Sequence, residues 1–440
     1  MNQYMYFLII YLTMMMKNKK FPRIVITILK MELLNDEESF LPNFIKENNV
    51  MLVPPESNTA DLIQHIIEKF NPDGSFYIID IGKIIRRIKL WKDLFPNVEP
   101  YYAVKCNSNK IICKLLSLMN IGFDVASVSE INIVKNIVND LQKVIYANPV
   151  KDSNSIRYAR TTDIDFLTFD SEHELYKLKL YHPNSKLLIR LKVNDKDSEC
   201  TFSEKFGVEK DEIEKLLTLA QGMQLKIVGT CFHCGSNCKN PKQYYEAIEL
   251  CKYAFDIGKE KGFNFNILDI GGGFTGLNDL NAIQLLTKTS EEVTLAIKTF
   301  FSKELSNNEI KIISEPGRFF VTDSHTLVLS VIGKKIKLDE NNKKRMIYHL
   351  SDGTYGSFSC INYDHQTPIL IPYNNDDIEK YESVIFGNTC DGLDKICNSV
   401  YLPELTISDL VYCENFGAYS VSSSSQFNGF SVSNFFYVMT

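Results

Sequence analysis

Short apolar runs rich in β-branched and aromatic residues alternate with longer amphipathic stretches between residues 100 and 317. The longer stretches, such as 111–119, 131–138 and 244–261, repeat their apolar positions with the period of a helix. Eight β/α units over about 220 residues predict a (β/α)8 TIM-like barrel, with a doubly wound sheet as the competing interpretation. The runs with the length and composition of strands are 100–106, 123–127, 144–148, 166–170, 187–193, 227–234, 267–273 and 311–317.

The pattern changes after residue 320, where the helical period fades. We therefore expect an α/β barrel over 82–322, followed by an all-β domain over 323–440 of the β-sandwich or β-barrel-like kind. An apolar run at 78–81 predicts that the segment 31–81 joins that β domain. The β runs of the second part are 326–332, 346–350, 383–386, 410–413, 418–421 and 434–439.

The beginning of the chain needs its own interpretation. Residues 5–16 form a nearly all-apolar run, which is shorter than the ~20 residues of a membrane span. Lysines follow this run, whereas a signal peptide carries its charge first. We expect residues 1–30 to be a disordered or mispredicted extension, with Met31 as the true start; a signal anchor is the alternative.

Charge and cysteine content argue against several classes of protein. The formal net charge of −6 gives no support for nucleic-acid binding. Eleven cysteines without regular spacing argue against a secreted disulfide scaffold and suit a reducing cytoplasm. Cys231, Cys234 and Cys238 around His233 resemble a metal cluster, but side chains alternate along a strand, so these groups diverge. We therefore expect no metal.

Lys105 is the most informative position, because a lysine closes an apolar strand there. If that strand is buried, desolvation lowers the pKa of the ammonium, and the amine becomes a usable nucleophile for a carbonyl. The seventh run ends in the glycines 271–273, and the eighth ends in the tetrapeptide 315–318, which closes with Arg318. Barrel active sites lie at the carboxyl ends of the strands, and phosphates often bind after strands seven and eight. The sequence therefore predicts an anion site near Lys105.

Ten motifs in order along residues 32–440 carry a family resemblance. They are PYYAVKCN, FDVAS, YANPVK, FDSEHEL, FHCGS, LDIGGGF, SEPGRFF, YGSFSCINYDH, TCDGLD and ENFGAYSV. Together they resemble the eukaryotic ornithine decarboxylases, which belong to the barrel-type pyridoxal-phosphate amino-acid decarboxylases. The resemblance implies pyridoxal 5'-phosphate as cofactor, a head-to-tail homodimer with shared active sites, and conversion of L-ornithine to putrescine and carbon dioxide in polyamine biosynthesis.

The resemblance also implies roles for single residues near the cofactor. Lys105 would form the Schiff base, Glu315 would pair with the pyridine nitrogen, and His233 would stack on the ring. Asp124, Glu130 and Arg190 match positions that line the family's site near the lysine. The phosphate would be held by Ser236, Gly271, Gly272, Gly273, Arg318 and Tyr419.

A second group of residues is implied to act on the substrate. Cys390 of the other subunit would protonate the substrate's Cα, because a free thiol keeps its proton at neutral pH yet can release it. Asp391 beside it, with Tyr363 and Asp364, would bind the distal amine. Lys205 would form an ion pair with Asp394 across the dimer interface, and an antizyme is a possible protein partner.

Two alternatives remain open from the sequence. One is a decarboxylase of arginine, lysine or diaminopimelate, and the other is a non-catalytic regulatory homologue of the antizyme-inhibitor kind. Retention of Lys105, Cys390 and Asp391 counts against the second. The chain departs from the family pattern at Asn237, which replaces a glycine, and at Asn388 and Cys234. Asn237 matters most if the backbone there needs a positive φ.

Overall fold

The structure, a computed structural model, describes residues 38–338, 342–374 and 379–440. The extension predicted for residues 1–30 lies outside these ranges. No helix within them is both long and apolar enough to cross a membrane. The strands of the described residues are β1 (Met51–Leu52), β2 (Phe76–Asp80), β3 (Glu99–Ala103), β4 (Gly122–Val125), β5 (Val144–Tyr146), β6 (Phe166–Phe169), β7 (Lys186–Arg190), β8 (Lys226–Cys231), β9 (Ile267–Asp269), β10 (Lys311–Ser314), β11 (His325–Leu338), β12 (Lys344–Leu350), β13 (Ile371–Pro372), β14 (Tyr381–Phe386), β15 (Lys395–Leu402), β16 (Leu410–Cys413) and β17 (Asn434–Met439).

Helices connect the strands of the first part and are short in the second. Several begin with a side-chain cap: Asn58 forms a capping box with Asp61, and Ser127 and Ser171 accept from backbone N–H groups three residues on. The helices are α1 (Leu41–Glu47), α2 (Thr59–Phe70), α3 (Ile81–Leu94), α4 (Lys110–Leu118), α5 (Val128–Val134), α6 (Ser153–Thr161), α7 (Glu172–Tyr181), α8 (Ile213–Gly222), α9 (Lys242–Glu260), α10 (Leu280–Phe300), α11 (Ser302–Ser306), α12 (Arg318–Val321) and α13 (Cys360–Tyr363).

Strands β3 to β10 close into a parallel barrel, in which β10 pairs with β3. The predicted barrel is confirmed, and each of the eight predicted runs overlaps one of its strands. The runs extend too far at their carboxyl ends, however. Lys105 lies in a 3-10 turn, Val104–Cys106, after β3 and not within the strand, and the glycines 271–273 follow β9. Most residues that follow these strands are buried and apolar or small. The sequence pattern of each strand therefore continues into the loop after it.

The inside of the barrel is filled in two layers. An apolar layer contains Tyr101, Ile145, Leu188, Ile267 and Ile313, among others. Because side chains alternate along a strand, the next inward positions toward the carboxyl ends also point into the barrel. Those positions hold Asp124, Arg190, Cys231, Asp269 and Glu315. The barrel therefore presents charged groups at the end where barrel active sites lie.

The second part is a nine-stranded mixed sheet with the main path β1-β17-β2-β11-β12-β14-β15. Strand β2 pairs antiparallel with β11 and parallel with β17, so the segment before the barrel contributes to this sheet. The domain boundaries themselves stay a prediction. The strand predicted at 418–421 is wrong, because Tyr419 has a left-handed φ of 54° and the chain turns there. Strand β15 was not predicted, because only two of its eight residues are buried and the polar residues Asn398 and Ser399 interrupt its apolar positions.

Candidate active site

Lys105 contacts the carboxylate of Asp124, which lies on the adjacent strand β4. Asp124 is fully buried, whereas 39% of the Lys105 side chain is exposed to the cleft at the barrel mouth. Burial by itself would lower the pKa of Lys105. The carboxylates of Asp124 and Glu315 outweigh burial and raise that pKa above its ordinary value. The expectation of a lowered pKa is therefore wrong for this state of the protein, because the sequence does not show which strands bring acids to the lysine.

Glu315 lies directly after β10 and is buried beside Asp269 at the end of β9. Burial, together with the Asp269 and Asp124 carboxylates, raises the pKa of Glu315 well above its usual range. Burial likewise raises the pKa of Asp269. Asp269 is an acid of this site that was not predicted from the sequence. The available signal was its position two residues after Ile267, which places it on the inner face of the barrel.

Two further predicted residues lie at the same end of the barrel. The guanidinium of Arg190 lies 4.7 Å from the centre of the Phe206 ring, and Arg190 lines the cleft with Lys105. Glu130, on α5, accepts a hydrogen bond from the Ala126 N–H at 2.7 Å. Burial raises the pKa of Glu130. Both positions are consistent with the expected lining of the site near the lysine.

His233 follows β8 and lines the cleft. Its Nδ1 accepts a hydrogen bond from the Gly235 N–H at 3.0 Å, so the neutral ring carries its proton on Nε2. Burial, with the Arg190 charge, lowers the pKa of His233 well below its usual value. The Phe202 ring packs edge-on against the imidazole at a centroid distance of 5.0 Å. The ring is therefore held neutral and in a fixed orientation.

The glycines after β9 allow a close approach of backbone groups that other residues would block. A Cβ atom at Gly272 would lie 2.7 Å from the Glu315 carbonyl oxygen and 2.9 Å from His233 Nε2. Gly271 and Gly273 have φ values of 64° and 106°, which side chains rarely permit. Glycine at these positions therefore lets the backbone after β9 pack directly against the segments that follow β8 and β10.

Arg318 reaches the same region from the first turn of α12. Its Nη2 donates to Ser236 Oγ at 3.0 Å, and its guanidinium lies 5.2 Å from the centre of the Tyr419 ring. A space of about 20 Å³ is bounded by Ser236, Asn237, Gly273, Gly317, Arg318 and Tyr419, among others. A serine hydroxyl, a guanidinium and glycine N–H groups suit an anion such as a phosphate.

Asn237 has a φ of 52°, so the backbone does need the left-handed conformation that a glycine adopts freely. Asparagine tolerates this conformation better than most residues. Asn388 donates to the Ser351 carbonyl at 3.0 Å, and Cys234 is fully buried. All three departures from the family pattern are thus accommodated by the fold.

Asp364 is buried and paired within its own chain. Its Oδ1 accepts from Arg318 Nη2 at 2.5 Å, and its Oδ2 accepts from Gln366 Nε2 at 2.5 Å. The carboxylate expected at the substrate's amine is therefore next to the arginine expected at the phosphate. Asp364 and Tyr363 also line a cleft of about 330 Å³ that includes Lys105, Arg190 and His233.

Cys390 and Asp391 stand apart from this cleft and are not among the residues that line it. Cys390 is exposed, and its N–H donates to Asn428 Oδ1 at 3.0 Å. Asp391 accepts from the Tyr355 hydroxyl. The structure thus brings the predicted cofactor residues together within one chain, but not the predicted proton donor.

Asp394 is buried within its own chain. Its carboxylate accepts from the N–H groups of Thr354 at 2.7 Å and Thr389 at 3.0 Å, and from both threonine hydroxyls. Lys205 is exposed, with its Nζ 5.0 Å from the centre of the Phe206 ring. The Asp394 carboxylate is therefore hydrogen-bonded within its own chain, and an ion pair with Lys205 of another subunit stays a prediction.

Several buried polar atoms at the site have no hydrogen-bond partner within the described part of the chain. They include one oxygen each of Asp124, Asp269 and Glu315, and Nε of Arg318. Buried polar groups are normally satisfied, so these atoms are available to a ligand that has a cationic or N–H group at one end and an anion at the other. Pyridoxal phosphate has such groups, with a ring nitrogen at one end and a phosphate at the other. The Lys105 amine, which would bind its aldehyde, lies between the two ends of the site.

A parallel barrel with a lysine and a glycine–arginine anion cradle at its carboxyl end defines a candidate pyridoxal-phosphate enzyme of the barrel type. The family model described as pyridoxal-dependent decarboxylase, pyridoxal binding domain, matches residues 81–322. Ornithine decarboxylase of Schizosaccharomyces pombe is 39% identical over 87% of this chain and 88% of its own. The chain belongs to the pyridoxal-dependent decarboxylase family.

Two other relatives carry different names. Antizyme inhibitor 2 of Xenopus laevis is 36% identical over 91% of this chain and 89% of its own length. The crystal structure of the Paramecium bursaria Chlorella virus arginine decarboxylase superimposes with a TM-score of 0.80 at 36% identity, covering 86% of this chain and all of the viral chain. The fold and the family resemblance seen in the motifs are thereby confirmed.

Proposed function

We propose that the protein catalyses the pyridoxal-phosphate-dependent decarboxylation of L-ornithine to putrescine and carbon dioxide. The observation that carries this proposal is a single cleft in which Lys105 lies among buried carboxyl groups, beside a cradle that suits a phosphate. The curated relatives named ornithine decarboxylase, at 38–39% identity, support the choice of substrate. The bound cofactor supplies an electron sink for the electron pair that loss of carbon dioxide leaves at the substrate's Cα.

The chain's own residues divide the remaining work. Lys105 supplies the amine that binds the cofactor's aldehyde, and Asp124 holds that amine in place. Glu315 holds a proton at the ring nitrogen, and neutral His233 covers the ring. Ser236, Arg318 and the glycine N–H groups hold the phosphate. Arg318 would then bind both the phosphate and Asp364. Its bond to Asp364 would be weaker, so this carboxylate could also accept a hydrogen bond from the substrate's distal ammonium.

The final step is addition of a proton to Cα, and Cys390 is the proposed donor. Because Cys390 is exposed and does not line its own chain's cleft, we propose that it acts in the cleft of a second subunit. Exposed apolar side chains near it, Tyr363 at 72% and Leu393 at 81% exposure, support a protein contact on this face. Asp391 would enter the same cleft and bind the substrate's distal ammonium together with Asp364.

Location and protein partners are also proposals. Every one of the eleven cysteines is a free thiol, which agrees with a cytoplasmic protein. An antizyme is a plausible class of partner because one relative is named for inhibition of antizyme. The same relative represents the alternative of a non-catalytic homologue, and the viral relative represents a preference for arginine.

The test is to purify the protein, add pyridoxal phosphate and measure released carbon dioxide with ornithine, lysine, arginine and diaminopimelate in parallel. We expect a visible absorbance band from covalently bound cofactor and the largest kcat/KM with ornithine. A larger kcat/KM with arginine would show that arginine, and not ornithine, is the preferred substrate. Cofactor binding without release of carbon dioxide from any of the four would favour the regulatory alternative.

A further inference from the structure

The inward-facing charged layer at the top of the barrel has an excess of acids. Asp124, Asp269 and Glu315 are all buried, with exposures of 0%, 0% and 9%. Among the described residues, the cationic groups that act on Asp269 and Glu315 are Arg190 and Lys105. Glu130, beside Lys105 on α5, is a further acid outside this layer. An uncompensated carboxylate in a buried site is costly, so one acid must keep a proton or meet a cation from a ligand.

The geometry indicates where that proton lies. The Glu315 N–H donates to the Gly271 carbonyl at 2.7 Å, and the Gly271 N–H donates to Asp269 Oδ1 at 2.9 Å, which brings the two acids together across strands β9 and β10. Asp269 pairs with Ile313, and Glu315 follows Ile313 by two residues, so the two buried carboxyl groups face the inside of the barrel from neighbouring strands. Two neighbouring carboxyl groups can form a hydrogen bond only if one of them is protonated. One oxygen of each acid, Asp269 Oδ2 and Glu315 Oε1, has no other partner within the described part of the chain.

We propose that Asp269 and Glu315 share one proton in the cofactor-free protein, and that this proton is given up by Glu315 when the cofactor's ring nitrogen binds beside it. The proposal rests on the proposed function and deepens it by naming Asp269 as the positioning residue of Glu315. The Glu315 O–H bond breaks, and the proton either forms the N–H bond or is released if the ring arrives already protonated. Asp269 remains a carboxylate throughout.

After this transfer, the negative and positive charges of the layer are equal in number. Three carboxylates, Asp124, Asp269 and Glu315, then face three cationic nitrogens: Arg190, the Lys105 nitrogen and the ring nitrogen. Burial raises the pKa of both Asp269 and Glu315, in agreement with a retained proton before the cofactor binds. The other titratable groups near Asp269 include Arg190, the Cys231 and Cys251 thiols and the Tyr101 hydroxyl. Burial raises the pKa of both thiols and of the tyrosine, so none of these three adds a negative charge.

The variant Asp269→Asn tests whether Asp269 acts by sharing a proton with Glu315 or only by packing against it. The amide keeps the shape of the side chain but donates an N–H to the Glu315 carboxylate, so Glu315 is ionised before the cofactor arrives. Calorimetric titration with pyridoxal phosphate in two buffers of different ionisation enthalpy counts the protons exchanged on binding. We expect the wild type to release about one proton per subunit more than Asp269→Asn at the same pH. Asp165→Asn, at the opposite end of the barrel, is the matched control and should behave as the wild type.

A second measurement needs no altered Asp269. Infrared difference spectra of the wild type, with minus without pyridoxal phosphate, should show loss of one protonated carboxyl band, which Glu315→Gln should lack. Equal proton counts in wild type and Asp269→Asn, or no such band, would overturn the shared proton while leaving the proposed function intact. If pyridoxal phosphate does not bind the wild type at all, both the proposed function and this inference fail.

Discussion

The barrel mouth and the segment 388–394 carry similar groups in opposite settings. At the barrel mouth, Lys105 and the acids Asp124 and Glu315 are gathered from three strand ends into one buried cluster. In the segment, the Cys390 thiol is exposed, and the half-buried Asp391 carboxylate accepts from the Tyr355 hydroxyl outside the cleft. A catalytic group that requires a site without water, but is exposed in its own chain, must be covered by the surface of another protein chain. The difference is what the proposed dimer predicts: one chain would build the cofactor half of the site, and a partner subunit would complete the substrate half.

Lys105→Ala should have the largest effect on the barrel mouth, with activity reduced by at least ~10³-fold because no other described amine lines the cleft. Lys105→Arg is the matched control, because it keeps a cation beside Asp124 but cannot bind the aldehyde. Borohydride reduction of the wild type, followed by peptide mapping, should place the cofactor on Lys105. A label on another lysine would show that the site has been assigned wrongly.

Cys390→Ala should act on the second region and lower kcat by about 100-fold through loss of a general acid. The proton should then be added at the cofactor carbon in part of the turnovers, which gives a carbonyl product and the pyridoxamine form of the cofactor. Chromatography of the products measures this ratio. Cys397→Ala, a partly exposed thiol on β15, is the control and should leave both rate and products unchanged. Putrescine as the sole product of the Cys390 variant would remove this thiol from the mechanism.

Asp391→Asn should raise KM for ornithine by about 10- to 100-fold, since a hydrogen bond between charged groups becomes one to a neutral amide. The value of kcat should change less, because the distal ammonium is remote from Cα. Steady-state kinetics with ornithine measures both constants. An unchanged KM would mean that Asp364 alone reads the ammonium.

Asn237→Ala should have the smallest effect, a loss of about 1 kcal/mol of folding stability, because alanine is strained at the positive φ of this position. Asn237→Gly should be neutral or slightly stabilising, since glycine adopts the conformation without strain. Urea unfolding of the two variants makes the comparison. Equal destabilisation by both would indicate that the asparagine side chain, and not the backbone, matters there.

The two regions also differ in how far the sequence could predict them. The eight barrel strands were found because most of their residues are buried and apolar, as in β7 and β10. Strand β15 was missed because its exposed polar residues resemble a loop. Asp269 was missed because the triplet Ile-Leu-Asp looks like a strand end, and its meaning depends on Glu315 across the sheet. The direction of the Lys105 pKa was wrong for the same reason: it is set by acids that only the closed barrel brings near.

The most direct test of the shared site is to mix the two strongly impaired variants Lys105→Ala and Cys390→Ala. If each site takes Lys105 from one chain and Cys390 from the other, random reassortment makes half of the dimers mixed, and each mixed dimer has one intact site. The account therefore predicts recovery of roughly a quarter of wild-type activity after subunit exchange, measured as carbon dioxide release from ornithine. A mixture that stays inactive, although mass spectrometry shows mixed dimers, would mean that each site is built within a single chain.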